Sequence, residues 1–140
     1  MKKNNKGFSL VELIIVIAIM AVLIGVLAPT FMKYVEQSRR STDISNAEAI
    51  RTAVLADIAD SQITGSATLA EYTGTNGSGT LGATTIATVP TIQGNLVNHG
   101  GHFYVTYNAS TGECNVFSDN GASAYNLTNA TSAQAYKTAP

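Results

Sequence analysis

The sequence predicts an α+β protein in which one long N-terminal α-helix packs on a small antiparallel β-sheet head. Three observations predict it. No charged residue occurs between Glu12 and Lys33. From Lys33 to about Ser61, apolar residues recur every three or four positions, and neither glycine nor proline interrupts them. Beyond Ser61 the chain turns to Thr, Ser, Gly, Asn and Ala, broken by short runs of strand formers. A length of 140 residues allows one modest domain beyond such a helix.

The elements follow in order. Residues 1–7 read Met-Lys-Lys-Asn-Asn-Lys-Gly, a short basic leader with no acid in it. Residues 8–32 form the greasy half of the helix. About 20 uncharged residues in α-helical conformation rise roughly 30 Å, enough to cross the hydrocarbon of a bilayer. Lys2, Lys3 and Lys6 are then expected to stay on the cytoplasmic side of the cell membrane, with the chain crossing it once.

Residues 33–62 form the amphipathic half. Ile44, Ala47, Ile50, Val54 and Ile58 fall along one stripe, with Leu55 at its edge and Glu48, Ala49, Thr52 and Ala56 on the other side. Arg51 projects near the stripe, where Glu48 one turn earlier can pair with it. Arg39 and Arg40 read as a solvated face. Together the two halves make a helix from near Phe8 to near Ser61, on the order of 80 Å long. Its first half needs lipid or copies of itself around it.

Residues 63–140 are expected to be the β-rich head. His102–Tyr107 alternates and is rich in strand formers; Cys114–Phe117 follows after Asn108-Ala-Ser-Thr-Gly112, which predicts an antiparallel hairpin. Thr84–Val89 reads as a third strand closed by Pro90, and Thr73–Gly82 as a loop. Asn126–Pro140 carries no assignable pattern.

Composition excludes several functions. The net charge is -1, and without the three leader lysines five basic residues face nine acidic ones, so no polyanion-binding surface or direct nucleic-acid contact is predicted. Beyond Ser61 only Glu71, Glu113, Asp119 and Lys137 carry charge. Cys114 is the single cysteine and reads as a small buried hydrophobe. His99-Gly-Gly-His102 reads as a turn entering a strand, since two histidines fall short of a metal ligand set. No metal or cofactor is expected. The tripeptides at Asn76, Asn108, Asn126 and Asn129 fit the glycosylation pattern, but arise freely in an Asn/Ser/Thr-rich chain. No nucleophile–base set is visible, so a tethered enzyme ranks last.

The informative unit is Lys6-Gly7-Phe8-Ser9-Leu10-Val11-Glu12, directly ahead of the apolar run. A carboxylate within a membrane segment is costly unless paired, and is a functional suspect for that reason. No basic residue follows Glu12 until Lys33, and cleavage after Gly7 would remove Lys6. The same cleavage would create an ammonium on Phe8. In an assembled bundle that ammonium could meet Glu12 of a neighbouring copy, fixing axial register because a slip strands a charge.

Gly7, Phe8 and Glu12 resemble, position by position, the type IV prepilin signal: a basic leader ending in glycine, an aromatic first mature residue and a glutamate at the fifth. The resemblance covers roughly Lys2–Tyr34. It implies cleavage between Gly7 and Phe8 by a membrane prepilin peptidase that also N-methylates Phe8. It further implies self-association into a helical filament, driven by an ATP-dependent motor through a membrane assembly platform. Pro29 matches a position where such pilins carry proline. Proline disrupts the bond to the carbonyl of Gly25, so Gly25 and Pro29 are the expected kink. Many members close a C-terminal loop with a disulfide, which Cys114 alone cannot do.

The resemblance leaves two functions open, a structural subunit of an extracellular type IV pilus or a pseudopilin of a type II secretion or competence machine. A secretory signal peptide is disfavoured by the length of the apolar run and by Glu12 within it. A simple single-pass anchor leaves the conjunction of Gly7, Phe8 and Glu12 unexplained.

Overall fold

The computed structural model describes residues 7–60, 65–72, 89–122 and 124–140. Among the described residues the element order is helix, three strands and helix: α1 (Leu10–Ala59), β1 (Ala67–Glu71), β2 (Tyr104–Asn108), β3 (Glu113–Phe117) and α2 (Ala130–Thr138). The α+β expectation holds, with one long apolar helix and a small antiparallel sheet. The chain divides into two compact units, one ending at Val35 and the other spanning Glu36–Pro140.

In the first unit the helix carries its apolar side chains outward. Ile17, Leu23, Val26 and Phe31 are all more than half exposed. None of the residues from Leu10 to Tyr34 is buried. Such a surface is stable only in an apolar environment. The helix runs on through Gly25 and Pro29.

In the second unit the buried positions of α1 are Arg40, Asp43, Ala47, Ile50, Val54 and Asp57, stepping alternately by three and four. Ala47, Ile50 and Val54 belong to the stripe read from the sequence, while Ile44, Leu55 and Ile58 are half-buried beside it. On the helix's other surfaces, hydroxyls are satisfied locally. Ser41, Thr42, Ser45 and Thr52 each donate to the carbonyl four residues back.

The sheet order is β1-β2-β3, with both pairings antiparallel. Val105, Tyr107, Cys114 and Val116 point to the core, and the alternation in β2 and β3 is what a sheet covered on one face requires. These four join Ala47, Ile50, Val54, Tyr72, Ile92, Phe103, Leu127 and Tyr136 in one buried cluster. The hairpin turn between β2 and β3 is built by Asn108, whose side-chain oxygen accepts from the amides of Ser110 and Thr111. Gly112 closes it at φ 70°, a left-handed conformation natural to glycine.

Four features differ from the sequence reading or add to it. The third described strand is β1, which sequence reasoning did not identify. The strand expected over Thr84–Val89 lies outside the described residues except for Val89, and the Thr73–Gly82 loop lies wholly outside them. The unassigned C-terminal stretch contains α2, capped by Asn129, whose side chain accepts from the amides of Thr131 and Ser132. Arg40 is not solvated: it is 5% exposed, whereas Arg39 beside it is exposed. The guanidinium is drawn inward because carboxylate and carbonyl partners surround it there.

Candidate functional site

The N-terminal junction is built by a reciprocal cap. Gly7, Phe8 and Ser9 precede α1 in non-helical conformation, and Phe8 is 86% exposed. The Ser9 hydroxyl accepts from the amide of Val11 at 3.3 Å, and the Ser9 amide donates to Glu12 Oε2 at 3.0 Å. The first helical bond runs from the Leu13 amide to the Ser9 carbonyl. This is a capping box, Ser-x-x-Glu, which satisfies amides that an apolar helix start would otherwise leave bare. The pattern was present in the sequence at Ser9 and Glu12. The same carboxylate carries the charge for which the sequence offers no nearby cation after it. Lys6 lies outside the described residues.

A second polar centre occupies the other unit. Asp43, fully buried, accepts from the amides of Gln93 at 2.7 Å and Gly94 at 2.8 Å, and from the Tyr136 hydroxyl at 2.8 Å. Arg40 donates through Nε to Glu36 at 2.8 Å, and through Nη1 to the carbonyls of Tyr136 at 3.2 Å and Ala139 at 2.7 Å. Glu36 in turn accepts from the backbone and side-chain nitrogens of Asn95. Gly94 admits no side chain: a Cβ there would lie 2.6 Å from the Tyr136 oxygen and 2.8 Å from Arg40 Cγ.

Burial raises the Glu36 carboxyl, but the bonds from Arg40 and Asn95 and the charges of Arg40 and Arg39 outweigh it, so the group sits below its ordinary range. Burial, then the bond to Asp43, pushes the Tyr136 phenol well up. Continuing the apolar stripe back from Ala47 by four and seven positions lands on Asp43 and Arg40. Periodicity could therefore have found them, against the expectation set by their charge.

The remaining candidates make local contacts. His99 Nδ1 meets the Gln93 carbonyl at 3.0 Å, and His102 Nδ1 pairs with Glu71. Asn98 at φ 53° and Gly100 at φ 77° turn the chain on either side of His99, and the Gly100 amide donates to the Ile92 carbonyl. Cys114 is buried, and desolvation pushes its thiol up to about 11 despite the opposing charge of Arg51, which itself lies 3.6 Å from Glu48. The carboxamide oxygens of Asn108, Asn126 and Asn129 are engaged by nearby amides. Asn76 lies outside the described residues.

Comparison with known proteins bears on the first centre. A family model described as the prokaryotic N-terminal methylation motif matches residues 2–28. The chain is 38% identical over 77 residues to prepilin peptidase-dependent protein A of Clostridium perfringens (strain 13 / Type A), covering 54% of this chain and 55% of that protein. It is 34% identical over 76 residues to the type IV major fimbrial protein FimA of Dichelobacter nodosus, covering 54% and 48%. Over 50 residues it is 41% identical to the type IV major pilin protein PilA of Myxococcus xanthus (strain DK1622), covering 36% and 23%. The matched stretches thus span about half, or less, of each relative's length. No solved structure matches the chain.

Proposed function

From the premise that this chain bears the prokaryotic N-terminal methylation motif and resembles type IV fimbrial proteins, we propose that it is the structural subunit, a major pilin, of an extracellular type IV pilus. The observation that carries the proposal is a lone acid, Glu12, set behind an exposed non-helical Gly7–Phe8 junction at the head of an outward-facing apolar helix.

In this reading residues 1–7 are a leader that stays on the cytoplasmic side. A prepilin peptidase cuts between Gly7 and Phe8 and methylates the Phe8 amine. The apolar helix half, residues 8–32, leaves the bilayer and enters the filament core, with the amphipathic half, 33–62, and the head, 63–140, outside it. An assembly platform and its motor supply the work of extraction. In the filament, Glu12 of one copy accepts the Phe8 ammonium of another, and burial in low dielectric makes that pairing selective for register. The turn from Gly25 to Pro29 is where the helix yields within the filament, since Pro29 has no amide to give the Gly25 carbonyl.

Mass spectrometry of the chain recovered from its native cell tests the assignment. The expected N-terminus is methylated Phe8, and Gly7→Val is expected to leave the full-length precursor. A mature chain retaining residues 1–7 would refute the reading. Long surface filaments lost on deletion of the gene support the pilus, whereas a short envelope-bound assembly would make the chain a pseudopilin.

A further inference from the structure

We infer that residues 125–139 form a strap, locked onto α1 by the Glu36–Arg40–Asp43 clamp, whose engagement shields the outer edge of β3. Among the described residues β3 ends the sheet, and this segment lies along its side away from β2, where Asn98 Nδ2 also reaches the Ser118 carbonyl at 3.4 Å. The Leu127 amide donates to the Val116 carbonyl at 2.8 Å, and the Ser118 amide to the Tyr125 carbonyl at 3.1 Å. The Val116 amide is taken by Thr128 Oγ1 at 3.2 Å, and Phe117 bridges to Asn126. An edge strand whose amides and carbonyls are left open is a template for pairing with another chain.

What holds the cover differs from what holds the hairpin. β2 and β3 bury Val105, Tyr107, Cys114 and Val116 and pair over five positions. α2 has nine residues, too few to be helical alone, and buries only Ala133 and Tyr136. Its two ends are secured by polar groups. Asn129 caps the first turn, and the Arg40 guanidinium caps the last by taking the carbonyls of Tyr136 and Ala139, where a helix favours positive charge. Asp43 then ties the Tyr136 hydroxyl to the amides of Gln93 and Gly94 in one carboxylate. Three side chains on two turns of α1 thus gather segments fifty and more than ninety residues away. Leu127 and Tyr136 join the strap to the hairpin's buried cluster, and loss of a clamp bond loosens α2 and its ties to Gln93 and Gly94 ahead of the β2–β3 pairing.

Residue-resolved hydrogen exchange on the full chain in detergent micelles tests this, comparing wild type with Asp43→Asn and Tyr136→Phe. Asp43→Asn removes the charge, and Tyr136→Phe removes one hydroxyl. Both variants are expected to speed exchange at the amides of α2, Gln93 and Gly94 by at least about tenfold, while the cross-strand amides of β2 and β3 keep their rates. The Val116 and Ser118 amides, though in or beside β3, are expected to move with the strap. Equal acceleration of strap and hairpin would overturn the inference, as would unchanged strap rates. If Asp43→Asn does not fold, Tyr136→Phe decides alone.

Discussion

Glu12 answers to two demands with one carboxylate. It closes the helix start by accepting the Ser9 amide, and in the proposed filament it accepts a neighbour's ammonium. Two substitutions separate them. Glutamine at position 12 keeps the capping bond and loses the charge, because Gln serves a capping box as Glu does. Glu12→Gln is therefore expected to insert normally yet enter filaments poorly beside wild-type subunits, since it leaves the neighbouring amine unpaired. Ser9→Ala keeps the charge and weakens the cap, at a cost of about 0.5–2 kcal/mol to the helix start, and is expected to be incorporated nearly as wild type. Quantifying each variant in sheared filaments checks both. Wild-type incorporation of Glu12→Gln would assign Glu12 to capping alone.

At the scale of elements, legibility followed locality. Both halves of α1 could be read from a charge gap and from helical spacing, and the β2–β3 hairpin from alternating strand formers around an Asn- and Gly-containing turn. β1 could not: Ala-Thr-Leu-Ala-Glu has little strand propensity and is held by backbone pairing to β2, with a bulge between Ala67 and Ala70. α2 could not either, because the guanidinium that caps it comes from a residue 96 positions earlier. The Ser9–Glu12 box is local, and its Ser-x-x-Glu spacing stands in the sequence itself. The apolar half of α1 carries its own prediction. In this structure the helix is assigned continuously through Pro29, with nothing within 4 Å of a Cβ placed at Gly25. In the filament the turn from Gly25 to Pro29 is expected to open, and Pro29→Ala to close it. A filament density map in which wild type and Pro29→Ala have the same unbroken helix there would refute the kink.

For the whole molecule, stability is expected to hold on a plateau of pH and to fall on both sides. Glu36 is depressed in the folded state, so its contribution is complete above its unfolded value of 4.5 and is lost as pH falls through the folded one. Tyr136 and Cys114 are raised from 10.0 and 9.0, so the stability they lend as neutral groups is complete below those values and is lost as pH climbs. Chemical denaturation of the full chain in detergent, followed across pH, checks this. Decline should begin below about 4.5 and above about 9, and Glu36→Gln should flatten the acid limb. The clamp has a consequence for where such a chain can mature. Its C-terminal closure is made of polar bonds to α1 and the buried side chains of Leu127 and Tyr136, and its one cysteine lies buried and protonated. With one cysteine in the sequence no sulfur–sulfur bond closes the head from within, so its closure is expected to call for no thiol oxidation. Anoxic or sulfide-rich surroundings, which would hold a cystine-stapled head open, leave this one intact.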